Sequence, residues 1–145
     1  MIKKKVIISA CLLGEYCRYD GKTKEVNAVI EAFKEYEIIP FCPEAPLFGT
    51  PRERINVVRV NGVNKIITDI TKIDVTRRLE EEIAKFCEEY PKIDAIVLKS
   101  KSPSCGNETT PVLDENKKIL YLGDGIATQI FKDFYKDVEI IDERL

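Results

Sequence analysis

The chain has 145 residues, with five cysteines, no histidine, no tryptophan, and 23 basic against 25 acidic side chains. Without histidine, the chain cannot form a Ser-His-Asp or Cys-His catalytic arrangement, a His-containing zinc site or a histidine-ligated haem. The net charge of −2 differs from the basic charge usual in nucleic-acid-binding domains. The length predicts one domain, residues 1–145.

The N-terminal segment lacks the apolar length that is typical of an export signal or a membrane anchor. Three lysines are followed by an apolar run that covers only residues 6–8 before small residues begin. A signal peptide needs about 7–15 apolar residues, and a membrane helix needs about 18. We therefore expect a cytoplasmic protein with no membrane partner, in which the cysteines are reduced, buried or bound to metal.

Buried apolar runs and helical spacing of apolar residues alternate along the chain. In chain order, the predicted elements are a strand at 6–10, a loop at 12–24, a helix at 25–37, a strand at 37–41, a loop at 43–55, a hairpin at 57–69 around Asn61-Gly62, a helix at 75–90, a strand at 95–98, a loop at 100–110, a hairpin at 111–122, a helix at 126–135 and a strand at 138–141. This order predicts an α/β fold, a mainly parallel, Rossmann-like sheet flanked by helices with a β-hairpin insertion.

Three cysteines follow three of the predicted buried strands. Cys11 and Cys42 come directly after strands, and Cys105 lies in the loop that leaves the third strand. Parallel strands bring their carboxyl ends to one edge of a sheet, where ligands bind in this fold class. A set of unrelated small apolar residues would explain Cys11 or Cys42, but Cys105 stands in a polar, turn-forming stretch. The pattern therefore favours one shared site.

The other two cysteines have different surroundings. Cys87 lies on the apolar face of the helix at 75–90, which predicts a buried structural thiol. Cys17 lies in the first loop, six residues after Cys11, and is either a fourth ligand or a neighbour of the site.

Thiolates without histidine select zinc, copper(I) or iron–sulfur clusters. Structural zinc sites usually use paired CxxC motifs, which this chain lacks. Three thiolates on separate loops suit a [4Fe-4S] cluster with one open iron, although their spacing alone also permits zinc or a metal-free thiol cluster.

Several segments together resemble one family. They are Ser9-Ala10-Cys11-Leu12-Leu13-Gly14, Arg18-Tyr19-Asp20-Gly21, Cys42-Pro43-Glu44, Thr50-Pro51-Arg52 and Ser102-Pro103-Ser104-Cys105-Gly106. In order and spacing they are similar to the small thiouracil desulfidases, long catalogued as a domain of unknown function, and the resemblance runs from residue 6 to about residue 126. The segment Ala45-Pro46-Leu47-Phe48-Gly49 departs from the glycines that this family commonly has there.

The resemblance implies a [4Fe-4S] cluster held by Cys11, Cys42 and Cys105, with the fourth iron open to substrate. It also implies that Glu44 and Ser102 are the catalytic side chains. Glu44 would act as a general acid/base, and Ser102 would hydrogen-bond the substrate unless its hydroxyl only forms a turn. Many members have an apolar residue where Cys17 stands, so the resemblance argues against an obligatory fourth ligand.

The implied activity is the non-redox conversion of C=S to C=O in a thiolated pyrimidine base or nucleoside, with release of hydrosulfide. Thiouridine in tRNA and a non-catalytic electron-transfer role are the alternatives. Arg18, Tyr19 and Asp20 are the predicted substrate-binding residues, unless Arg18 and Asp20 form a loop salt bridge. The sequence leaves open a monomer or a homodimer.

Two further groups are candidates for minor roles in the site. Lys99 and Lys101 flank the third strand end, where they would meet a phosphate if the substrate carries one. Asp124 is expected to cap the helix at 126–135, whose N-terminus would then face the site.

Overall fold

The computed structural model describes residues 3–145. Its strands are β1 (Lys5–Ser9), β2 (Glu37–Phe41), β3 (Ile55–Val60), β4 (Val63–Thr68), β5 (Ala95–Leu98), β6 (Thr110–Leu113), β7 (Ile119–Gly123) and β8 (Ile140–Asp142). Its α-helices are α1 (Asn27–Ala32), α2 (Glu44–Phe48), α3 (Thr76–Glu89) and α4 (Ile126–Phe134), and a 3-10 turn covers Ala10–Leu13. No helix in this part of the chain is long and apolar enough to span a bilayer.

The first sheet has the strand order β2-β1-β5-β8, and all its pairs are parallel. Its central strand β1 is buried on both faces. Ile7 packs into the larger core with α3 and α4, whereas Val6 and Ile8 pack into a smaller core with α1. Continuous apolar runs are typical of such doubly covered parallel strands. The predicted α/β fold is confirmed, and the carboxyl ends of β1, β2 and β5 lie at one edge.

The second sheet has the order β4-β3-β6-β7 and is mixed. Two antiparallel hairpins, β3–β4 and β6–β7, are joined by a parallel pairing of β3 with β6. Both hairpins were predicted, and the Asn61-Gly62 turn connects the first, with both residues at positive φ. The sequence did not predict that the two hairpins form one sheet, because their pairing joins segments far apart in the chain.

Two elements differ from the sequence-based prediction. The helix expected at 25–37 extends only over α1, since the following N–H groups of Lys34 and Tyr36 bond three residues back and form turns. The loop expected at 43–55 contains the short helix α2. Its prolines at 43 and 46 lie at or near the helix start, where proline removes no helical hydrogen bond.

Candidate active site

One cavity of about 550 Å³ opens at the carboxyl edge of the first sheet. The loops that leave β1, β2 and β5 form most of its wall, and residues of β3 and β6 from the second sheet form the rest. Cys11, Cys17, Cys42 and Cys105 all line this cavity, as do Glu44 and Ser102. The structure thus brings the three predicted ligands together with both predicted catalytic side chains.

The four thiols of the cavity are free; Cys11 and Cys105 are buried, and Cys17 and Cys42 are half-buried. A hydrogen bond with Cys11 is the main cause that raises the pKa of Cys17 to about 11. The contact with Cys17, with burial second, raises the pKa of Cys42. Burial raises the pKa of Cys105 to about 12. The raised pKa values keep Cys17, Cys42 and Cys105 protonated at neutral pH without metal, and binding a cationic metal group would displace their protons.

The thiols line the cavity wall and do not enclose a single ion. Among residues 3–145, no three Cys, Asp or Glu side chains converge closely enough to hold one metal ion. Cys87 stands apart from this set. It is 2% exposed and packs in the larger core, so the prediction of a structural thiol is confirmed.

The first turn of α4 holds the loop that carries Cys105. The N–H groups of Gly125, Ile126 and Ala127 donate to the carbonyls of residues 106, 103 and 104 at 2.7, 3.2 and 2.7 Å. Thr128 adds a bond from its hydroxyl to the Cys105 carbonyl at 2.8 Å. The first N–H groups of α4, which have no partner within the helix, are therefore paired with carbonyls of this loop. This pairing fixes the backbone of Cys105.

Asp124 does not cap α4, which corrects the expectation from the sequence. Gly125 is the N-cap residue of α4, so the cap position has no side-chain oxygen that could accept from the first N–H groups of the helix. The Asp124 carboxylate instead accepts from the Glu108 N–H and from the Lys132 ammonium, both at 2.8 Å. The close approach of helix and loop leaves this carboxylate beside the turn at 106–108 and not over the helix end.

Gly125 is expected to be irreplaceable, because the loop backbone occupies the space beside it. A Cβ there would lie 2.4 Å from the Ser104 carbonyl carbon and 2.7 Å from the Cys105 nitrogen. We expect Gly125→Ala to cost about 1–3 kcal/mol of unfolding free energy, the usual range for overpacking, and to lower iron retention. Urea unfolding measures the change in stability, and iron analysis measures the change in iron retention.

Gly62→Asn is the control, since the space beside Gly62 is open and asparagine tolerates positive φ. Equal losses in both variants would contradict this account.

Glu44 is a buried carboxylate, only 9% exposed, at the start of α2. Its Oε2 accepts a hydrogen bond from the Ser104 hydroxyl at 2.8 Å. Its Oε1 lies 3.4 Å from Nη2 of Arg52, whose side chain is 5% exposed. Arg52 also donates to the Gly49 carbonyl and the Thr50 hydroxyl. A charge-assisted pair with supporting bonds holds Glu44 in one orientation at the cavity wall.

Ser102 forms the turn that shapes the Cys105 loop. Its oxygen accepts from the N–H groups of Ser104 and Cys105 at 3.2 and 3.1 Å. A hydroxyl has two acceptor lone pairs and one donor, so the O–H remains available to donate. The turn-forming role is thus present, and it is compatible with donation to the Cys105 sulfur or to a substrate.

The comparisons with known proteins agree with this geometry. The 2-thiouracil desulfurase family model matches residues 6–143. The chain belongs to this family. It is also 33% identical over 111 residues to protein YbbK of Bacillus subtilis (strain 168), covering 70% of this chain and 73% of that protein. The solved structure of the [4Fe-4S]-dependent thiouracil desulfidase TudS matches with a TM-score of 0.70 and 29% identity, over 98% of this chain and 92% of that chain.

In this family member, the three predicted substrate-binding residues of the first loop have different positions. Arg18 and Tyr19 line the cavity, and Asp20 lies outside its lining. Asp20 pairs with Arg18 at 3.7 Å and accepts the Lys22 N–H, so the loop salt bridge that the sequence allowed is present. Arg54 covers the Tyr19 ring with its guanidinium 4.7 Å from the ring centre. A role of all three in substrate binding stays a prediction.

The cavity carries much more positive charge than the chain as a whole. Six basic side chains line it against the single carboxylate of Glu44; they are Arg18, Lys24, Arg52, Arg54, Lys99 and Lys101. Lys99 also pairs with Glu143 at 3.5 Å. A basic cavity attracts anionic ligands even in a protein whose net charge is slightly negative.

Sequence reasoning did not identify three side chains that shape the site. Ser104 and Arg52 hold Glu44, and Ser9 accepts the Lys99 N–H at 2.8 Å. All three lie in segments that carry the family resemblance. Two of the contacts join segments far apart in sequence, since Ser104 lies 60 positions from Glu44 and Ser9 lies 90 positions from Lys99. Arg52 is only eight positions from Glu44, but no regular spacing links the two residues.

Proposed function

We propose that this chain removes the sulfur of a thiolated pyrimidine with a [4Fe-4S] cluster held by Cys11, Cys42 and Cys105. One observation supports this most strongly: three thiols from three strand ends line the cavity that also contains the oriented Glu44 carboxylate. The family match and the likeness to the [4Fe-4S]-dependent thiouracil desulfidase support the same activity. In the overall reaction, water oxygen replaces the sulfur, which leaves as hydrosulfide.

The residues present fit a cluster of this kind. Three cysteine thiolates are typical ligands of iron–sulfur clusters, and these three face a cavity large enough for both a cluster and a substrate. When bound, the cluster would supply a Lewis-acidic iron for a soft sulfur atom. Burial raises the pKa of the Cys105 thiol, and the Ser9 and Ser102 hydroxyls partly offset that rise.

Glu44 is the proposed general acid/base. The Ser104 hydroxyl occupies Oε2 at 2.8 Å, whereas the contact of Oε1 with Arg52 is longer, at 3.4 Å. Oε1 is therefore the oxygen better placed to accept a proton from the attacking water and to return it to the leaving sulfur. Proton transfer by an oriented carboxylate contributes about 10²–10⁴ to the rate. Ser102 keeps one O–H donor with which to orient the pyrimidine.

The basic lining supports a pyrimidine that carries phosphate, because six cationic side chains surround the cavity. We expect 2-thiouridine 5′-monophosphate to have a KM at least about fivefold below that of 2-thiouracil, since about 1 kcal/mol of ion pairing gives that factor. Steady-state kinetics at low and high salt measure the difference, which should shrink as salt screens the charges. Equal KM values at all salt concentrations would show that the basic lining does not recognise the phosphate.

Anaerobic purification and cluster reconstitution test the proposed function. We expect about four irons per chain, loss of the thiocarbonyl absorbance of 2-thiouracil, and one sulfide released for each substrate converted. Iron binding without sulfide release from base, nucleotide or 4-thiouridine-containing tRNA would instead support a non-catalytic module. Full occupancy by zinc, with no iron retained, would overturn the proposal. The basic lining of the cavity also suits the phosphates of tRNA, which is therefore the second candidate substrate.

A further inference from the structure

The cavity contains a thiol that the proposed mechanism does not use. Cys17 lies on the loop that leaves β1, half-buried at the cavity wall. The Cys42 thiol donates to the Cys17 carbonyl at 3.9 Å, and both Cys11 and Cys42 affect the pKa of the Cys17 thiol. Four thiols therefore line the same cavity, and Cys17 lies beside two of the three proposed ligands.

We propose that Cys17 is a displaceable fourth ligand, which binds the open iron of the cluster in the absence of substrate. This inference rests on the proposed function, because it requires the cluster. Because Cys17 lines the same cavity as the three proposed ligands, its thiolate would complete the four-cysteine ligation that is usual for [4Fe-4S] clusters. It would also protect a labile iron from solvent and oxidants while no substrate is bound.

The position of Cys17 in the chain explains why this ligand can leave. Cys105 is fixed by the first turn of α4, and Cys42 directly follows β2. Cys17 instead lies between the 3-10 turn and α1, where residues 14–26 form neither helix nor strand. Residues outside helices and strands open at a lower free energy than core elements do, so a ligand on this loop is easier to release than one fixed by β2 or α4.

Substrate binding would then be a ligand exchange at constant oxidation state. On this proposal, the bond between iron and the Cys17 sulfur would break as the substrate sulfur binds, and the released Cys17 thiolate would take a proton from solvent. When the product sulfur leaves as hydrosulfide, Cys17 would return that proton to solvent and bind the iron again.

The lability of the fourth iron tests this proposal without measuring activity. Under anaerobic conditions, ferricyanide removes one electron from a [4Fe-4S]²⁺ cluster, and a cluster with an open iron then loses Fe²⁺ to leave [3Fe-4S]⁺, which is detected by electron paramagnetic resonance. We compare wild type, Cys17→Ala and Cys17→Ser, with Cys87→Ala as the matched control. Circular dichroism establishes that each variant is folded.

We expect Cys17→Ala to retain about four irons. We also expect this variant to form [3Fe-4S]⁺ at least about tenfold faster than wild type, because residues that only contact a metal ligand already change metal affinity by about that factor. Cys17→Ser should lie between the two, and Cys87→Ala should match wild type. Equal rates in wild type and both Cys17 variants would overturn the proposal while leaving the proposed function intact. Loss of the whole cluster from a folded Cys17 variant would also overturn it, because Cys17 would then be obligatory. Absence of a cluster in wild type would refute the proposed function itself.

Discussion

Cys105→Ala is expected to remove the cluster and all desulfidase activity while leaving the fold intact. Cys105 is buried, and its backbone is fixed by the first turn of α4. No other thiol on this loop can replace it. We expect iron to fall from about four per chain to nearly zero, measured by iron analysis and by the visible absorbance of the reconstituted protein.

Cys87→Ala provides the matched control for this change. The same atoms are removed, but Cys87 packs in the larger core and not at the cavity. We expect this variant to keep iron and activity and to lose only some unfolding free energy through the cavity it creates. A Cys105→Ala protein that still bound a full cluster would show that the ligand set is wrong.

Glu44→Gln is expected to lower kcat by about 10²–10⁴, the usual contribution of a general acid/base. The substitution keeps the size of the side chain and leaves an amide oxygen that can still accept from Ser104. It removes the ability to exchange a proton. Iron content and KM should change little, because the cysteine ligands are untouched. Stopped assays of sulfide release under saturating substrate measure the effect.

Two control variants distinguish the loss of proton transfer by Glu44 from the loss of a nearby negative charge and from a change in the orientation of Glu44. Glu53→Gln alters a nearby carboxylate that accepts from the Ile70 and Thr71 N–H groups, outside the cavity, and should retain wild-type kcat. Ser104→Ala keeps the Glu44 carboxylate but removes its hydrogen bond, so we expect a loss of about tenfold, the cost of one hydrogen bond to a charged group. A Glu44→Gln enzyme with unchanged kcat would exclude Glu44 as the acid/base.

The sequence predicted those parts of the structure that depend on local patterns. The strands at 37–41 and 95–98 have the predicted bounds, and the Asn61-Gly62 turn forms the expected hairpin. The meeting of Cys11, Cys42 and Cys105 followed from one rule, that parallel strands share a carboxyl edge. Local spacing was sufficient there because each thiol stands at or near a strand end.

The parts that the sequence did not predict depend on contacts between distant segments. The prolines of α2 suggested a loop, since proline is unfavourable inside a helix although it is tolerated at the start. Asp124 was placed at the α4 cap by its spacing, but the loop at 103–106 takes those N–H groups. Each of these outcomes is decided by tertiary packing, which a single sequence does not display.

The hydrogen bonds between the Cys105 loop and α4 couple the third thiol to an element that follows it in the chain. The Cys11 strand pairs with β5, and the Cys105 loop is completed only by Ile126–Phe134. The three thiols therefore hold their places around the cavity only while α4 is packed against this loop.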